Sequence, residues 1–187
     1  MIRSSLGFTL LEILVVFSVI GILTGIGFAS FVSYSRKQSL DQAAQDLKTA
    51  IDQARFNSVS RVKPSSCGTN VLDIYRLVTC TNATPSDPAT PNACVNPNNL
   101  YEMYAFCGSY INVASKARAS NILTSIAAAS SGECGTDRII RFYTLTGFDI
   151  NSCRIVLTTT DTPSLSKTLC VDNGGNTNIK EGTTTCP

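Results

Sequence analysis

The chain has 187 residues, of which 43% are hydrophobic and 15% are charged, and its formal net charge at pH 7 is +2. Such a weak charge gives no argument for binding nucleic acid through bulk electrostatics. The sequence contains no histidine, which excludes catalytic sites of the Ser-His-Asp and Cys-His kinds. No sequence pattern identifies a catalytic pair among its 13 acidic residues. We therefore expect a protein that is not an enzyme and has no cofactor.

The N-terminal segment places one carboxylate at the edge of an uncharged apolar run. Glu12 directly precedes residues 13–32, a stretch of 20 residues without a charged side chain. This is about the length that a helix needs to cross a bilayer, where a charged group costs about 2.5–3.5 kcal/mol on insertion scales. Because a buried carboxylate and amine offset part of each other's desolvation, Glu12 is expected to have a cationic partner.

The residues around Glu12 carry a specific resemblance. The run Gly7-Phe8-Thr9-Leu10-Leu11-Glu12 and the apolar stretch after it resemble the signal of type IV pilins and the related pseudopilins. The resemblance implies that a prepilin peptidase cleaves after Gly7 and that the new N-terminal residue, Phe8, is N-methylated. It also implies that Glu12 meets the N-terminal amine of a neighbouring subunit as filaments form.

Two simpler interpretations of the same segment compete with this one. An ordinary secretory signal peptide fits Arg3 before the apolar run, but the run exceeds the usual apolar region of about 7–15 residues. A plain single-pass anchor explains the length and leaves Gly7 and Glu12 without a role. The resemblance to pilins explains all of these features and is favoured.

The resemblance also implies the division of the chain. Residues 1–7 form a leader peptide, residues 8–32 form the transmembrane and filament-core half of a helix, and residues 33–187 form a soluble globular domain that includes the second half of that helix. Gly21 and Gly25 form a small-xxx-small pair, which favours close helix packing, although glycine is also common in membrane helices generally.

The helix itself is expected from residue 8 to about residue 62, because no proline occurs before Pro64. Its first half is apolar all round, which suits lipid or a core of similar helices. Its second half has an apolar stripe with spacings of three and four, typical of a helix packed on a domain. The stripe consists of Leu40, Ala44, Leu47, Ile51, Ala54, Ser58 and Val62.

After Pro64 the composition favours strands. Strands are predicted at residues 71–79, 101–107, 110–113, 138–144, 153–159 and 165–171. The segment Asp161-Thr162-Pro163-Ser164 is a turn signal that joins the last two strands as a hairpin. Residues 81–99 are predicted as an exposed loop, and residues 114–130 as a short helix or a loop. The order of one long helix followed by an antiparallel sheet predicts an α+β fold, and the resemblance specifies the type IV pilin fold.

Eight cysteines lie beyond the apolar run, and an even number in an exported domain predicts a disulfide framework. Their pairing cannot be derived, since eight cysteines allow 105 connectivities. A zinc site is not favoured because the chain has neither a C-x2-C pair nor histidine, so no metal is expected. The candidate residues are Cys67, Cys80, Cys94, Cys107, Cys134, Cys153, Cys170 and Cys186.

The C-terminal tail leaves two binding alternatives open. The first alternative is calcium, because residues 172–178 and Glu181 are rich in oxygen ligands. Their spacing does not fit an EF-hand, however, and Gly and Asn are ordinary turn residues. Some pilins of the related T-type fimbrial subgroup bind DNA through late basic residues. The basic residues of this tail are widely spaced, whereas phosphate binding needs several together: Arg138, Arg141, Arg154, Lys167 and Lys180.

The sequence as a whole therefore predicts a structural subunit, a pilin or minor pilin, of a type IV pilus or pilus-like filament. The segment 47–61 is similar to that of H-type pseudopilins and T-type fimbrial minor pilins. The alternatives are accordingly a pseudopilin of type II secretion and a DNA-binding minor pilin for natural transformation. The expected partners are other pilins, the prepilin peptidase, the inner-membrane assembly machinery and the membrane. The expected location is the cytoplasmic membrane, followed by an extracellular or periplasmic filament.

Overall fold

The structure is a computed structural model. It describes residues 9–80, 94–126, 139–144, 147–148, 153–172, 174–183 and 186. Within these ranges, the side chains of residues 25–30, 124–126 and 147–148 are not described. The chain divides into two compact units, Met1–Gln38 and Ser39–Pro187. The division falls within the long helix α1, Leu10–Val59. The predicted boundaries after residues 7 and 32 concern processing and the membrane, and they stay predictions.

The first unit contains the N-terminal part of α1. Its large apolar side chains, from Leu10 to Leu23, are exposed on every side of the helix. Among the described residues, no helix is both long enough and apolar enough to cross a membrane. The transmembrane role of residues 8–32 stays a prediction.

The second unit begins with the remainder of α1, whose apolar stripe is confirmed as far as Ser58. The predicted stripe residues from Leu40 to Ser58 are all buried, whereas Val62 is 45% exposed. The prediction for Val62 is wrong because α1 ends at Val59 and the chain turns at Arg61, which has a φ of 50°. The amides of Arg61 and Val62 donate to the carbonyls of Ser58 and Asn57 at 3.2 and 2.9 Å, the two bonds of a Schellman helix end.

Among the residues that the structure describes, nine strands form two antiparallel sheets in the second unit. The first sheet has five strands in the order β3-β2-β1-β5-β6, and the second has four in the order β4-β7-β8-β9. A short 3-10 helix, Ser65–Cys67, precedes them. The strands are β1 Ile74–Thr79, β2 Asn99–Phe106, β3 Tyr110–Ala117, β4 Ile122–Ile126, β5 Ile139–Tyr143, β6 Gly147–Phe148, β7 Cys153–Thr159, β8 Ser166–Val171 and β9 Thr177–Glu181.

The α+β class is therefore confirmed, but the prediction of one sheet is wrong. Residues 114–130 are neither helix nor plain loop where they are described, since residues 114–117 continue β3 and Ile122–Ile126 is β4. The predicted hairpin is confirmed, with Cys153 opposite Val171 and Thr158 opposite Ser166. The strand β9 was not predicted, because its polar side chains hide the alternation by which a strand is recognised.

One hydrophobic core joins the helix to both sheets of the second unit. Leu47 and Ile51 of α1 pack in the same cluster as Tyr75 and Leu77 of β1 and Ile155 of β7. All five side chains are almost completely buried. At about 1.5–3 kcal/mol for each fully buried large apolar side chain, this cluster is the main source of stability for the unit. It also explains why the helix alternates between buried and exposed residues only in its second half.

The predicted disulfide framework is confirmed for the described cysteines. Disulfides join Cys67 to Cys107, Cys80 to Cys94 and Cys170 to Cys186. Cys153 is disulfide-bonded as well, and Cys134 lies outside the described residues. The bonds attach the 3-10 helix to the end of β2, close the segment that follows β1, and fasten the C-terminal tail to β8.

Candidate functional site

Of the residues Gly7 to Glu12, which carry the resemblance to pilins, the structure describes Thr9 to Glu12, at the start of α1. The hydroxyl of Thr9 accepts a hydrogen bond of 3.3 Å from the amide of Glu12, and the Thr9 carbonyl accepts one of 3.3 Å from the amide of Ile13. Thr9 is therefore the N-cap, and the spacing from Thr9 to Glu12 is that of a capping box. Gly7 and Phe8 lie outside the described residues, so their predicted roles are not tested.

Glu12 is an exposed carboxylate in an otherwise apolar surface. It lines a shallow depression of about 350 Å³ together with Ile13, Val16 and Phe17, and Leu10 before it is 82% exposed. A carboxylate in the first turn is favoured by the partial positive charge of the helix N-terminus. Within the part of the chain that is described, no residue forms an ion pair with Glu12.

The two hydroxyl side chains farther along this apolar segment are satisfied within the helix. Ser18 donates to the carbonyl of Leu14 at 2.8 Å, and Thr24 donates to that of Ile20 at 2.7 Å. Bonds of this kind to the preceding turn leave these hydroxyls without a need for water. Glu12 is the one charged side chain from Leu10 to Thr24. Another apolar surface that packs on this segment would therefore have to accommodate the Glu12 carboxylate.

Of the two predicted packing glycines, Gly21 is not required by any contact within the described part of the chain. A Cβ atom added at Gly21 would meet no atom within 4 Å. The surroundings of Gly25 lie outside the described side chains. Since Gly21 has open space around it, any requirement for glycine there would come from a second helix that approaches closely.

The oxygen-rich tail uses its own oxygens internally. The carboxylate of Asp172 accepts hydrogen bonds of 2.8 Å from the amides of Gly174 and Asn176 and from the side-chain amide of Asn176. These bonds, with that from the Asn176 side chain foremost, hold the pKa of Asp172 below its ordinary value. Glu181 instead pairs with Lys167 at 3.1 Å. The structure therefore does not bring Asp172 and Glu181 together as ligands of one cation.

The late basic residues do not form one cluster either. Arg141 belongs to β5 of the five-stranded sheet, whereas Arg154, Lys167 and Lys180 belong to β7, β8 and β9 of the other sheet. Lys167 is engaged with Asp41 and Glu181. Arg138 lies outside the described residues. The arrangement gives no support to a continuous phosphate-binding surface along these residues.

One further group has the composition of a metal site. The sulfurs of Cys80 and Cys94 and a carboxylate oxygen of Glu102 lie within 4.8 Å of one another and are buried. The two sulfurs form a disulfide, however, and the carboxylate accepts four hydrogen bonds. Neither is free to act as a ligand, because metal-binding cysteines are thiolates. The structural role of Glu102 was not predicted, since a glutamate within a strand gives no sequence signal of its own.

Comparison with known proteins identifies the N-terminal segment. Residues 2–28 match the family model described as Prokaryotic N-terminal methylation motif. No curated protein and no solved structure gives a significant match to the chain. The match includes Gly7, Phe8 and Glu12, and it ends before the second unit begins. Glu12, in the first turn of α1, is thus part of the N-terminal methylation motif, and this chain carries the signal of type IV pilins and pseudopilins.

Proposed function

We propose that this protein is a structural subunit, a pilin or minor pilin, of a type IV pilus or pilus-like filament. The observation that carries the proposal is Glu12, a carboxylate that lies at the start of an exposed apolar helix, within a recognised methylation motif. A surface of this kind is stable only when it is covered by lipid or by other apolar helices. The proposed filament supplies such helices as neighbouring subunits.

In the proposed assembly, prepilin peptidase cleaves after Gly7 and Phe8 becomes the methylated N-terminus. The N-terminal amine of one subunit then pairs with the Glu12 carboxylate of its neighbour. The pair offsets part of the desolvation of two charges that would each be costly alone in an apolar core. Because the rest of the surface from Leu10 to Thr24 is uncharged, this contact would also fix the axial position of one helix against the next.

The proposed role of the chain is mechanical and not catalytic. The precursor would span the cytoplasmic membrane once through residues 8–32, with the leader in the cytoplasm. The second unit would be exported, and its disulfides are those expected of an oxidising compartment. The inner-membrane assembly machinery would then transfer the subunit into an extracellular or periplasmic filament.

The first experiment determines the mature N-terminus. The protein is expressed in a host with a prepilin peptidase, and the N-terminal peptide of the exported form is sequenced by mass spectrometry. We expect the chain to begin at Phe8 and to carry a methyl group on its amine. A mature chain that begins at any other residue contradicts the proposal.

The second experiment tests the assembly contact. Glu12→Gln removes the charge and retains a residue suited to the capping box, so helix formation should persist while filaments are lost or disordered in electron micrographs. Asp52→Asn is the matched control, because Asp52 is an exposed acidic residue of α1 in the second unit. Normal filaments with Glu12→Gln would exclude the proposed charge pair.

A further inference from the structure

Two arginines lie side by side on the face of the five-stranded sheet that points away from the core. Arg76 of β1 and Arg141 of β5 are direct partners across these two antiparallel strands, which places their Cβ atoms about 4.5–5.5 Å apart. Because side chains alternate along a strand, both arginines lie on the face opposite to their chain neighbours. Those neighbours all belong to the core that the sheet shares with α1: Tyr75, Leu77, Ile140 and Phe142.

This arginine pair has a cost for the fold. Like charges directly opposite one another destabilise a sheet, and both arginines are half-buried. Burial foremost, and the positive charge of Arg141 as well, lower the pKa of Arg76, against the opposing effect of Tyr110. An anion between the two guanidinium groups would offset their repulsion.

Aromatic side chains hold one member of the pair in position. The guanidinium carbon of Arg76 lies 4.3 Å from the centre of the Tyr110 ring, and the centre of that ring lies 4.8 Å from that of Phe106. The cation–π contact restrains the guanidinium group before any partner binds. Less conformational freedom is therefore lost when a ligand contacts Arg76.

The charge of this face is positive within the described strands. Glu102 is the one acidic residue in the five strands of the sheet. It lies on the same face as the arginine pair, but its carboxylate is engaged by four hydrogen bonds, none of them from an arginine. The third basic residue of these strands, Lys116, is paired with Asp46 of α1 at 3.3 Å.

The form of the site favours carboxylates over the phosphates of a nucleic acid. The planar fork of arginine matches a carboxylate, with two parallel hydrogen bonds. Binding of a nucleic-acid backbone needs several cations together, and stacking of bases needs free aromatic faces, whereas the Tyr110 ring is contacted by Arg76 and Phe106. We propose that the arginine pair binds the side-chain carboxylates of an acidic segment of a partner protein. This site is independent of the assembly contact at Glu12.

The proposal is tested with the full-length chain in micelles of a non-ionic detergent at low salt. The probe is a fluorescently labelled peptide of alternating glutamate and glycine, and the same peptide with glutamine is the uncharged counterpart. Fluorescence anisotropy measures the Kd. We expect saturable binding of the glutamate peptide and none of the glutamine peptide. A single-stranded oligothymidylate of the same net charge is the competing probe and should bind more weakly.

The contributing groups are tested by substitution. Arg76→Gln and Arg141→Gln should each raise the Kd of the glutamate peptide about tenfold, as expected for the loss of hydrogen bonds to a charged group. Arg141→Lys keeps the charge without the fork and should have an intermediate Kd. Arg154→Gln is the matched control, because Arg154 is a half-buried strand arginine of the other sheet.

Circular dichroism checks that each variant is folded. Arg141→Gln carries the test if Arg76→Gln, which also loses the contact with Tyr110, fails to fold. Three results would each overturn the proposal: no saturable binding of the glutamate peptide, the same Kd for Arg141→Gln as for Arg154→Gln, or tighter binding of the oligothymidylate than of the peptide.

Discussion

The carboxylate of Glu102 accepts a hydrogen bond of 2.6 Å from the hydroxyl of Tyr104, two residues farther along β2. It also accepts bonds of 2.8–2.9 Å from the amides of Val95 and Asn96 and from the side chain of Asn99. Burial alone would raise the pKa of this carboxyl, but the four hydrogen bonds outweigh it and lower the pKa below 4.5. Glu102 therefore holds the segment between Cys94 and β2 as a fully satisfied buried anion.

Replacement of Glu102 by glutamine should destabilise the second unit. The side-chain amide of the variant cannot accept all four bonds, so at least one buried donor loses its partner, at a cost of about 1–3 kcal/mol. Chemical denaturation of the full-length chain in detergent, followed by circular dichroism, measures the change. Asp52→Asn, an exposed acidic residue on α1, should change stability by less than about 0.5 kcal/mol. Equal effects of the two substitutions would show that the Glu102 hydrogen bonds do not contribute as proposed.

The same carboxylate gives a pH dependence with a defined sign. Because the folded-state pKa of Glu102 is below its ordinary value of 4.5, its contribution is fully present above that value and is lost as the pH falls through the folded-state pKa. The difference in melting temperature between the native chain and Glu102→Gln should be greatest above about pH 5 and decrease below it. A difference that stays constant from pH 7 to pH 3 would contradict this assignment.

Lys167 of β8 forms two ion pairs, one with Asp41 of α1 and one with Glu181 of the neighbouring strand β9. Its pKa is raised, chiefly by the hydrogen bond to Asp41 against the opposing effect of burial, and then by Glu181. The contribution is therefore present below 10.5 and is lost only as the pH rises through the higher folded-state pKa. The side chain of Lys167 is 12% exposed, that of Asp41 41% and that of Glu181 70%.

We expect Asp41→Asn to lower stability by about 0.5–1 kcal/mol and Glu181→Gln by less, since exposed pairs are screened by solvent. Denaturant unfolding at low and high salt measures both effects. High salt should reduce the effect of Glu181→Gln more than that of Asp41→Asn, because the more buried pair is less accessible to ions. A larger effect of Glu181→Gln than of Asp41→Asn at low salt would reverse the expected order of the two ion pairs.

Arg61 occupies the position after the helix end where glycine is usually found. Its φ of 50° lies in the left-handed region, which costs a non-glycine residue roughly 1–2 kcal/mol. Arg61→Gly should therefore stabilise the second unit, by about 0.5–1 kcal/mol after the greater flexibility of glycine in the unfolded chain is considered. Arg61→Val should destabilise it, and Arg61→Ala should lie close to the native chain. A lower melting temperature for Arg61→Gly than for Arg61→Ala would contradict this account.

The sequence predicted those features that depend on local periodicity and on strongly typed residues. The stripe from Leu40 to Ser58 specified a packed helix because buried positions recur every three to four residues. The hairpin of β7 and β8 was predicted because its alternation is interrupted by one turn signal. The N-terminal segment around Glu12 was recognisable for another reason, because a charged residue at the edge of an apolar run of membrane-spanning length is rare and costly.

The features that the sequence did not reveal depend on contacts between distant residues. The separation of the strands into two sheets follows from which strands pair with one another, and both sheets share the core with α1, so the separation is not encoded in any single strand. The role of Glu102 arises only when the segment 95–99 folds over it. The C-terminal tail is held by the disulfide between Cys170 and Cys186, and the turn before β9 by the bond between Arg55 and Asn176. Neither contact has a local sequence signature.

The three described disulfides should differ in their contributions to stability. Cys67 and Cys107 are separated by 40 residues, whereas the pairs Cys80–Cys94 and Cys170–Cys186 are separated by 14 and 16. Chain-entropy arguments give about 4 kcal/mol for the longer loop and about 3 kcal/mol for each shorter one. Paired replacement of Cys67 and Cys107 by alanine should therefore lower the melting temperature most, in differential scanning calorimetry of the full-length chain.

The paired replacement of Cys80 and Cys94 is the matched comparison, because all four side chains are buried and the cavities left are similar. If the replacement of Cys80 and Cys94 lowered the melting temperature more than that of Cys67 and Cys107, the entropic order would be contradicted. Local packing and the Glu102 hydrogen bonds would then outweigh the entropy of the unfolded chain.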